Sequence, residues 1–398
     1  MKKPVCLVQP PFAQLNSPYP GIYYLRSFLE RRGFSVITRD HSIALFERIF
    51  CREGLRRIFE DAEKAPGLRG GPGSDRKLRP VIEGFLSEKE LWLSSIDRLV
   101  NFLRGRDHEW GHLLCLANGV VPGGPRFDAC LASLGGFDSG AQISPDSAQL
   151  LAGKLLADLS GFITAALDPG FSLIRYIPSS AESPGAGFRN FSAVRAGLDG
   201  YVMDSFYRPF LEEEWKTLSD EGMSGAAGPP PLLGLSIPFP GCLTGALACA
   251  ASAKKFFGAA VTTAAGGGYV NTELRFAGDE RVFDYFDYLS FDRGYGSLAA
   301  ILEAAVPAAG GARQAEVRQA EAPLYKTIYR RRDGGLIRGS GIAAPAEECG
   351  APLQTPLQNP GGEERYAQTD DEAVKSVFPD YSGVDFSRYL CPLDDLNP

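Results

Sequence analysis

Short apolar runs that stop at glycine or proline organise this chain. Residues 5–8 form the first run and 9–20 a long loop after it. Ile22, Leu25, Phe28 and Leu29 then fall on one helical face, opposite Arg26, Glu30 and Arg31, and Gly33 stands where a helix C-cap belongs. Residues 34–38 read as a second strand that reaches Asp40, which gives a βαβ start. Phe46, Ile49, Phe50, Leu55, Ile58 and Phe59 continue as an amphipathic helix. The stripes Trp92, Ile96, Leu99, Val100, Leu103 and Leu151, Leu155, Leu159, Phe162, Ile163 make the middle of the chain helical. Ser144 before Pro145 is a helix start, with a capping hydroxyl and proline at the first position.

The alternating pattern returns after residue 230. Residues 232–236 and 259–264 are apolar runs ending in Ser236 and in Gly266-Gly267-Gly268, and residues 288–292 make a third. Runs of this kind mark parallel strands covered on both faces. The expected fold is α/β: a small doubly wound, flavodoxin- or Rossmann-like parallel sheet of about five strands, interrupted after its second strand by a large helical insertion. By this reading residues 1–65 and 230–306 form one discontinuous domain and 66–229 the insertion or lid. Residues 307–340 hold a linker and a hairpin around Asp333-Gly334-Gly335, and 341–398 a flexible linker rich in Pro, Gly and Gln.

Composition narrows the class. The chain has 398 residues, long enough for more than one core, and 44% hydrophobic with 22% charged residues fits a globular protein. A net charge of −7 argues against nucleic acid or an anionic membrane as partner, and no apolar run reaches the roughly 20 residues of a membrane span. Eight cysteines without paired spacing suggest reduced thiols and a cytoplasmic protein.

Candidate chemistry sits at the strand ends, where open α/β sheets bind ligands. Gly266-Gly267-Gly268 is either a phosphate cradle or a plain tight turn, and Asp40 either touches a ribose hydroxyl or caps the next helix. His108-Glu109-x-x-His112 matches a zinc-hydrolase motif, with two imidazoles to hold the metal and a glutamate to activate water. Against it stand Gly105 and Gly111, which weaken a helix there, a polar approach of Arg104, Arg106 and Asp107, and the lack of a nearby third ligand; a chance match in a polar loop is the competing reading. Tyr19, Tyr23, Tyr24 and Phe28 could line a flat ligand or simply pack in the core.

Several stretches together resemble cobalamin-binding-domain radical S-adenosylmethionine proteins: residues 8–20, Leu235-Ser236-Ile237-Pro238-Phe239-Pro240-Gly241, residues 266–275 and 379–383, with similarity also through 125–171. The resemblance implies cobalamin held by the strand-end loops: Pro10, Pro11, Asn16, Tyr19 and Gly21 after the first strand; Ser236, Pro238 and Gly241; Gly266, Gly267, Gly268 and Asn271; and Asp292 after the last strand. It also implies a partner, a radical S-adenosylmethionine barrel with a 4Fe-4S cluster. The Cys-x-x-x-Cys-x-x-Cys loop of that barrel is absent, so the expectation is the front portion of such an enzyme, non-catalytic alone, with the barrel downstream or encoded separately. Where related corrinoid domains carry Asp-x-His-x-x-Gly, this chain reads Asn16-Ser17-Pro18-Tyr19-Pro20-Gly21. The expected cobalamin is therefore base-off, without a protein ligand to cobalt.

Overall fold

Val5–Gln9 (β1) and Leu232–Ser236 (β3) are buried at every residue and lie side by side in parallel, with Cys6 opposite Leu233 and Leu7 opposite Gly234. This computed structural model describes residues 5–65, 78–116, 121–135, 144–173, 197–221, 230–276, 280–305, 323–331, 334–342 and 360–391. Val36–Asp40 (β2) pairs with the outer side of β1, while Thr262–Gly266 (β4) and Tyr288–Ser290 (β5) extend the sheet beyond β3, all in parallel.

The sheet has seven strands rather than about five, in the order β2-β1-β3-β4-β5-β6-β7. The two additional strands are the expected hairpin, Thr327–Arg330 (β6) and Leu336–Arg338 (β7), which is continuous with the sheet instead of standing apart from it. The open edge of β5 explains the difference. Its unpaired backbone groups take up β6 antiparallel, and the Tyr288 and Tyr329 rings meet at 5.3 Å across the junction. The first five strands have the 2-1-3-4-5 order of flavodoxin-like folds, whose winding reverses between β1 and β3.

Thirteen α-helices accompany the strands among the described residues. Gly21–Arg31 (α1) joins β1 to β2. His41–Ile49 (α2) and Arg52–Lys64 (α3) follow β2, and the insertion contributes Arg79–Ser87 (α4), Lys89–Leu103 (α5), His108–Cys115 (α6), Pro125–Ser133 (α7), Pro145–Ala166 (α8) and Arg208–Glu221 (α9). Cys242–Phe257 (α10) links β3 to β4, Gly268–Thr272 (α11) follows β4, Tyr295–Ala305 (α12) follows β5, and Pro360–Ser376 (α13) lies near the end of the chain.

Side chains alternate between the two faces of the sheet, as strand geometry requires. Val5, Leu7, Leu232, Ala264 and Tyr288 pack beneath α1 and α12. Cys6, Val8, Leu233, Leu235 and Leu289 pack beneath α10 and the insertion, in one core that runs on without a break to Trp92, Leu155, Phe162 and Trp215. The insertion is thus built into the domain core. Two buried carboxylates hold it by capping backbone: Asp158 accepts from the amides of Arg126 (3.0 Å) and Phe127 (2.9 Å), and Asp168 from those of Gly170 (3.1 Å) and Val202 (3.0 Å). The expected caps are present. Ser144 Oγ accepts from Ser147 N at 3.2 Å, and Gly33 closes α1 with a left-handed φ of 76°.

The C-terminal region departs from expectation. Residues 343–359 lie outside the described residues, but 360–376 form α13, packed on α12 through Ala373, with Val377 buried just beyond it. Asp370 explains the order. Its buried carboxylate accepts from Gly296 N at 2.8 Å and caps the first turn of α12. Residues 380–391 then cross to the insertion, where Leu390 N donates to Leu15 O and Cys391 N to Leu103 O.

Candidate functional site

Beside the β1/β3 reversal, at the carboxyl ends of the strands, the sheet and its helices fail to close and leave a cavity of about 230 Å³. The strand residues that face it are small: Gly234 and Ser236 on β3, Ala264 and Gly266 on β4, Ser290 on β5. Leu7 on one side and Tyr288 on the other stand level with Gly234 and Ala264, so a trough runs along β3 and β4 between two large side chains. Ile22 and Leu25 of α1 and Tyr295 and Leu298 of α12 form the opposite wall. On the β5 side, beside Gly266, the Ser290 and Ser297 hydroxyls satisfy each other at 2.5 Å.

The loops after β3 and β4 are stitched together by backbone. Ile237 N donates to Gly266 O (2.7 Å) and Tyr269 N to Ile237 O (3.1 Å). Gly267 has φ 112°, and a Cβ there would stand 2.6 Å from Ile237 O; one at Gly268 would stand 2.9 Å from Pro238 O. Close approach of the two loops is therefore enough to require glycine at 267 and 268, and the tight-turn reading accounts for both. Gly267 also lines the cavity.

A polar bracket sits at the β5 rim. Asp292 has a left-handed φ of 61°, held by the Asn271 side chain, whose Oδ1 accepts from Asp292 N (2.6 Å) and whose Nδ2 donates to Asp292 O (3.3 Å). The Asp292 carboxylate pairs with the Arg275 guanidinium and, at 3.2 Å, with Lys326 Nζ. Lys326 is itself left-handed (φ 48°) and reaches the Asp370 carboxylate at 3.5 Å. Burial works against its ammonium, but the Tyr325 hydroxyl and Asp292 outweigh this and hold the Lys326 pKa above its usual value. Asp292, on the cavity lining, and its ion-pair partner Lys326 thus both hold left-handed backbone, a kind of strain that clusters at functional sites.

Of the residues expected from the sequence, Gly21, Ser236, Gly266, Gly267 and Asp292 line the cavity together, and Asn271 positions Asp292. A Cβ on Gly21 would stand 3.0 Å from Ser236 Oγ, so α1 begins directly against β3. The others lie elsewhere. Pro10 and Pro11 are buried, with Pro11 packed where α10 has Gly245; Tyr19 meets the Phe239 ring edge-on at 5.6 Å; Asn16, Pro238 and Gly241 belong to the surrounding loops, and Gly268 begins α11. Sequence reading missed Leu25, Arg293, Gly294, Lys326 and the Ser290–Ser297 pair. Only the Gly-x-Ser, Ala-x-Gly alternation at 234–236 and 264–266 could have flagged the small floor.

Asp40 caps α2, accepting from Ser42 N (2.9 Å) and Ile43 N (3.3 Å), and also from the Tyr389 hydroxyl (2.9 Å). That resolves its two readings in favour of the cap. Residues 108–115 are helical rather than a polar loop. The Asp107 carboxylate caps Trp110 N at 3.0 Å, and Gly111 lets the Phe102 ring lie against the helix. No group of three or more metal-binding side chains occurs among the described residues, nor is any described helix long and apolar enough to cross a membrane.

Fold and site together define a doubly wound, flavodoxin-like α/β protein with a narrow cavity at the ligand position of that fold class. Comparison of the chain with protein-family models, curated proteins and solved structures gives no match.

Proposed function

We propose that this protein is a corrinoid-binding module whose cavity takes the nucleotide tail of cobalamin. The observation that carries the reading is the small-residue trough on β3 and β4, open toward the strand-end loops. At about 230 Å³ it falls below the roughly 300–1,000 Å³ of sites that enclose a whole drug-sized ligand, so it suits one arm of a large cofactor, with the macrocycle outside. Gly234, Ala264, Leu7 and Leu298 offer apolar surface to a flat base, and Ser236 stands at the mouth to hydrogen-bond the sugar. The bracket of Asp292, Arg275 and Lys326 keeps the rim in place.

No described histidine lines the cavity, and Pro18 is buried, so this chain supplies no imidazole to cobalt. When bound, the cofactor supplies the organometallic chemistry of cobalt; this chain binds it, orients it and presents it. Following the resemblance, the recipient is a radical S-adenosylmethionine barrel, in the same polypeptide or as a separate subunit.

Reconstitution with hydroxocobalamin, desalting and visible spectroscopy test the proposal. Wild type is expected to retain cobalamin, and Ala264→Leu and Ser236→Trp, which fill the trough, to elute without it while keeping wild-type circular dichroism. Wild type eluting free of cobalamin, or folded filled variants retaining it, would overturn the reading.

A further inference from the structure

The chain contains three histidines, and two of them stand one turn apart on a single exposed helix face. His108 and His112 of α6 point to solvent because the opposite side of the helix is committed to the core through Trp110, Gly111 and Leu114. The orientation is firmly set. Arg98 grips the capping Asp107 at 2.8 and 3.2 Å, and a Cβ on Gly111 would lie 2.3 Å from the Phe102 ring, so the helix can neither roll nor lift without losing that contact. Both imidazoles are exposed, with the Asp107 carboxylate near enough to His108 to interact with its charge, whereas His41, the third histidine, is buried against the Tyr207 hydroxyl.

From this geometry we infer that His108 and His112 form a bidentate surface site for a borderline divalent transition metal of the zinc, nickel or copper type. Imidazoles at i and i+4 of a helix present their nitrogens to one point, and a pair already held in helical register chelates such ions with little ordering cost. Imidazole donors favour these metals over calcium or magnesium, which take oxygen ligands. Cys115 lies further along the same stripe, one turn beyond His112 and half-buried. It does not group with the two imidazoles as a third donor, and burial pushes its thiol pKa up, away from the thiolate a metal binds. With no third side-chain ligand among the described residues, water completes the coordination. The site is thus a chelate rather than the three-ligand centre that metal-assisted hydrolysis uses. It is independent of the cavity and of any corrinoid.

Competition of the full chain against a chromophoric chelator for Zn²⁺, repeated with Ni²⁺, tests the inference. Wild type is expected to bind stoichiometrically. His108→Ala and His112→Ala should each lose roughly tenfold or more in affinity, as a two-point chelate drops to a single imidazole, and Cys115→Ser should bind as wild type does. Because both histidines are exposed, circular dichroism of the two alanine variants should match wild type. Undiminished affinity in either histidine variant, or a wild type no tighter than the double variant, would overturn the site, whatever the outcome with cobalamin. Loss of binding in Cys115→Ser alone would overturn the two-imidazole donor set.

Discussion

The two faces of the sheet meet the same packing problem with opposite results. Beneath α10 the small residues are on the helix: Gly245 admits the Pro11 ring, and Ala246, Ala250 and Ala253 are buried in the same core as Leu233 and Leu235. Beneath α1 and α12 the small residues are on the strands, and the helices carry Ile22, Tyr295 and Leu298. Leu7 and Tyr288 prop those helices up on either side of Gly234 and Ala264, so the lowered floor becomes empty space. Small residues at strand ends beneath large helix residues leave a layer open.

The largest expected effect tests that contrast directly. Leu233→Ala on the closed face removes side-chain contacts on all sides and should cost about 4 kcal/mol in urea unfolding. Leu7→Ala borders space that is already empty, so it gives up fewer contacts and should cost about 2–3 kcal/mol. Equal losses would mean that the cavity is filled or collapsed in solution and that the comparison fails.

A second difference between the faces is electrostatic. The closed face buries His41, whose Nδ1 lies 2.9 Å from the Tyr207 hydroxyl while Nε2 has no partner. Burial, helped by the nearby Arg39 charge, lowers its pKa from 6.5 to about 3. Between those values the unfolded chain binds a proton that the native protein refuses, so stability is full above pH 6.5 and falls as pH drops toward 3. The slope is about 1.4 kcal/mol per pH unit. Asp40 works the other way, because burial raises its pKa and the native protein takes up its proton early. Subtracting the pH profile of His41→Phe from that of wild type isolates the histidine. A difference that stays flat from pH 7 to about 4 would show that His41 is not buried neutral.

How much of this was legible depends on whether the cause was local. β1, α1, β3 and α10 were readable because an apolar run or a 3.6-residue stripe is complete within each segment, and the Ser144-Pro145 start carries its own cap. The hairpin was visible as a hairpin, but its place in the sheet depends on the open edge of β5, which pairs with it from some forty residues upstream. Helix α13 went unread because its apolar stripe is thin and its most consequential residue, Asp370, is a carboxylate that looks solvated until Gly296 is brought to it. At the cavity, Gly21, Ser236 and Gly266 could be named from strand-end logic. Lys326 could not: its left-handed backbone and its pairing with Asp292 exist only once β6 has docked.

The rim offers the smallest effect and the finest discrimination. Asp292 does two separable things there, holding a left-handed turn and neutralising Arg275 and Lys326. Asparagine tolerates the same backbone and leaves intact the bonds to Asn271, which use the backbone of residue 292. Asp292→Asn therefore removes charge alone, and because the pair is partly exposed the cost should be about 1 kcal/mol at low salt. Screening should shrink that difference in high salt. Asp292→Ala must also force a left-handed alanine, which adds roughly 1 kcal/mol that salt does not remove. If the two variants prove equally stable, the turn is unstrained and the bracket is electrostatic only. If the asparagine variant shows no salt dependence, the two cations do not need the carboxylate, and the rim is held by its backbone bonds to Asn271.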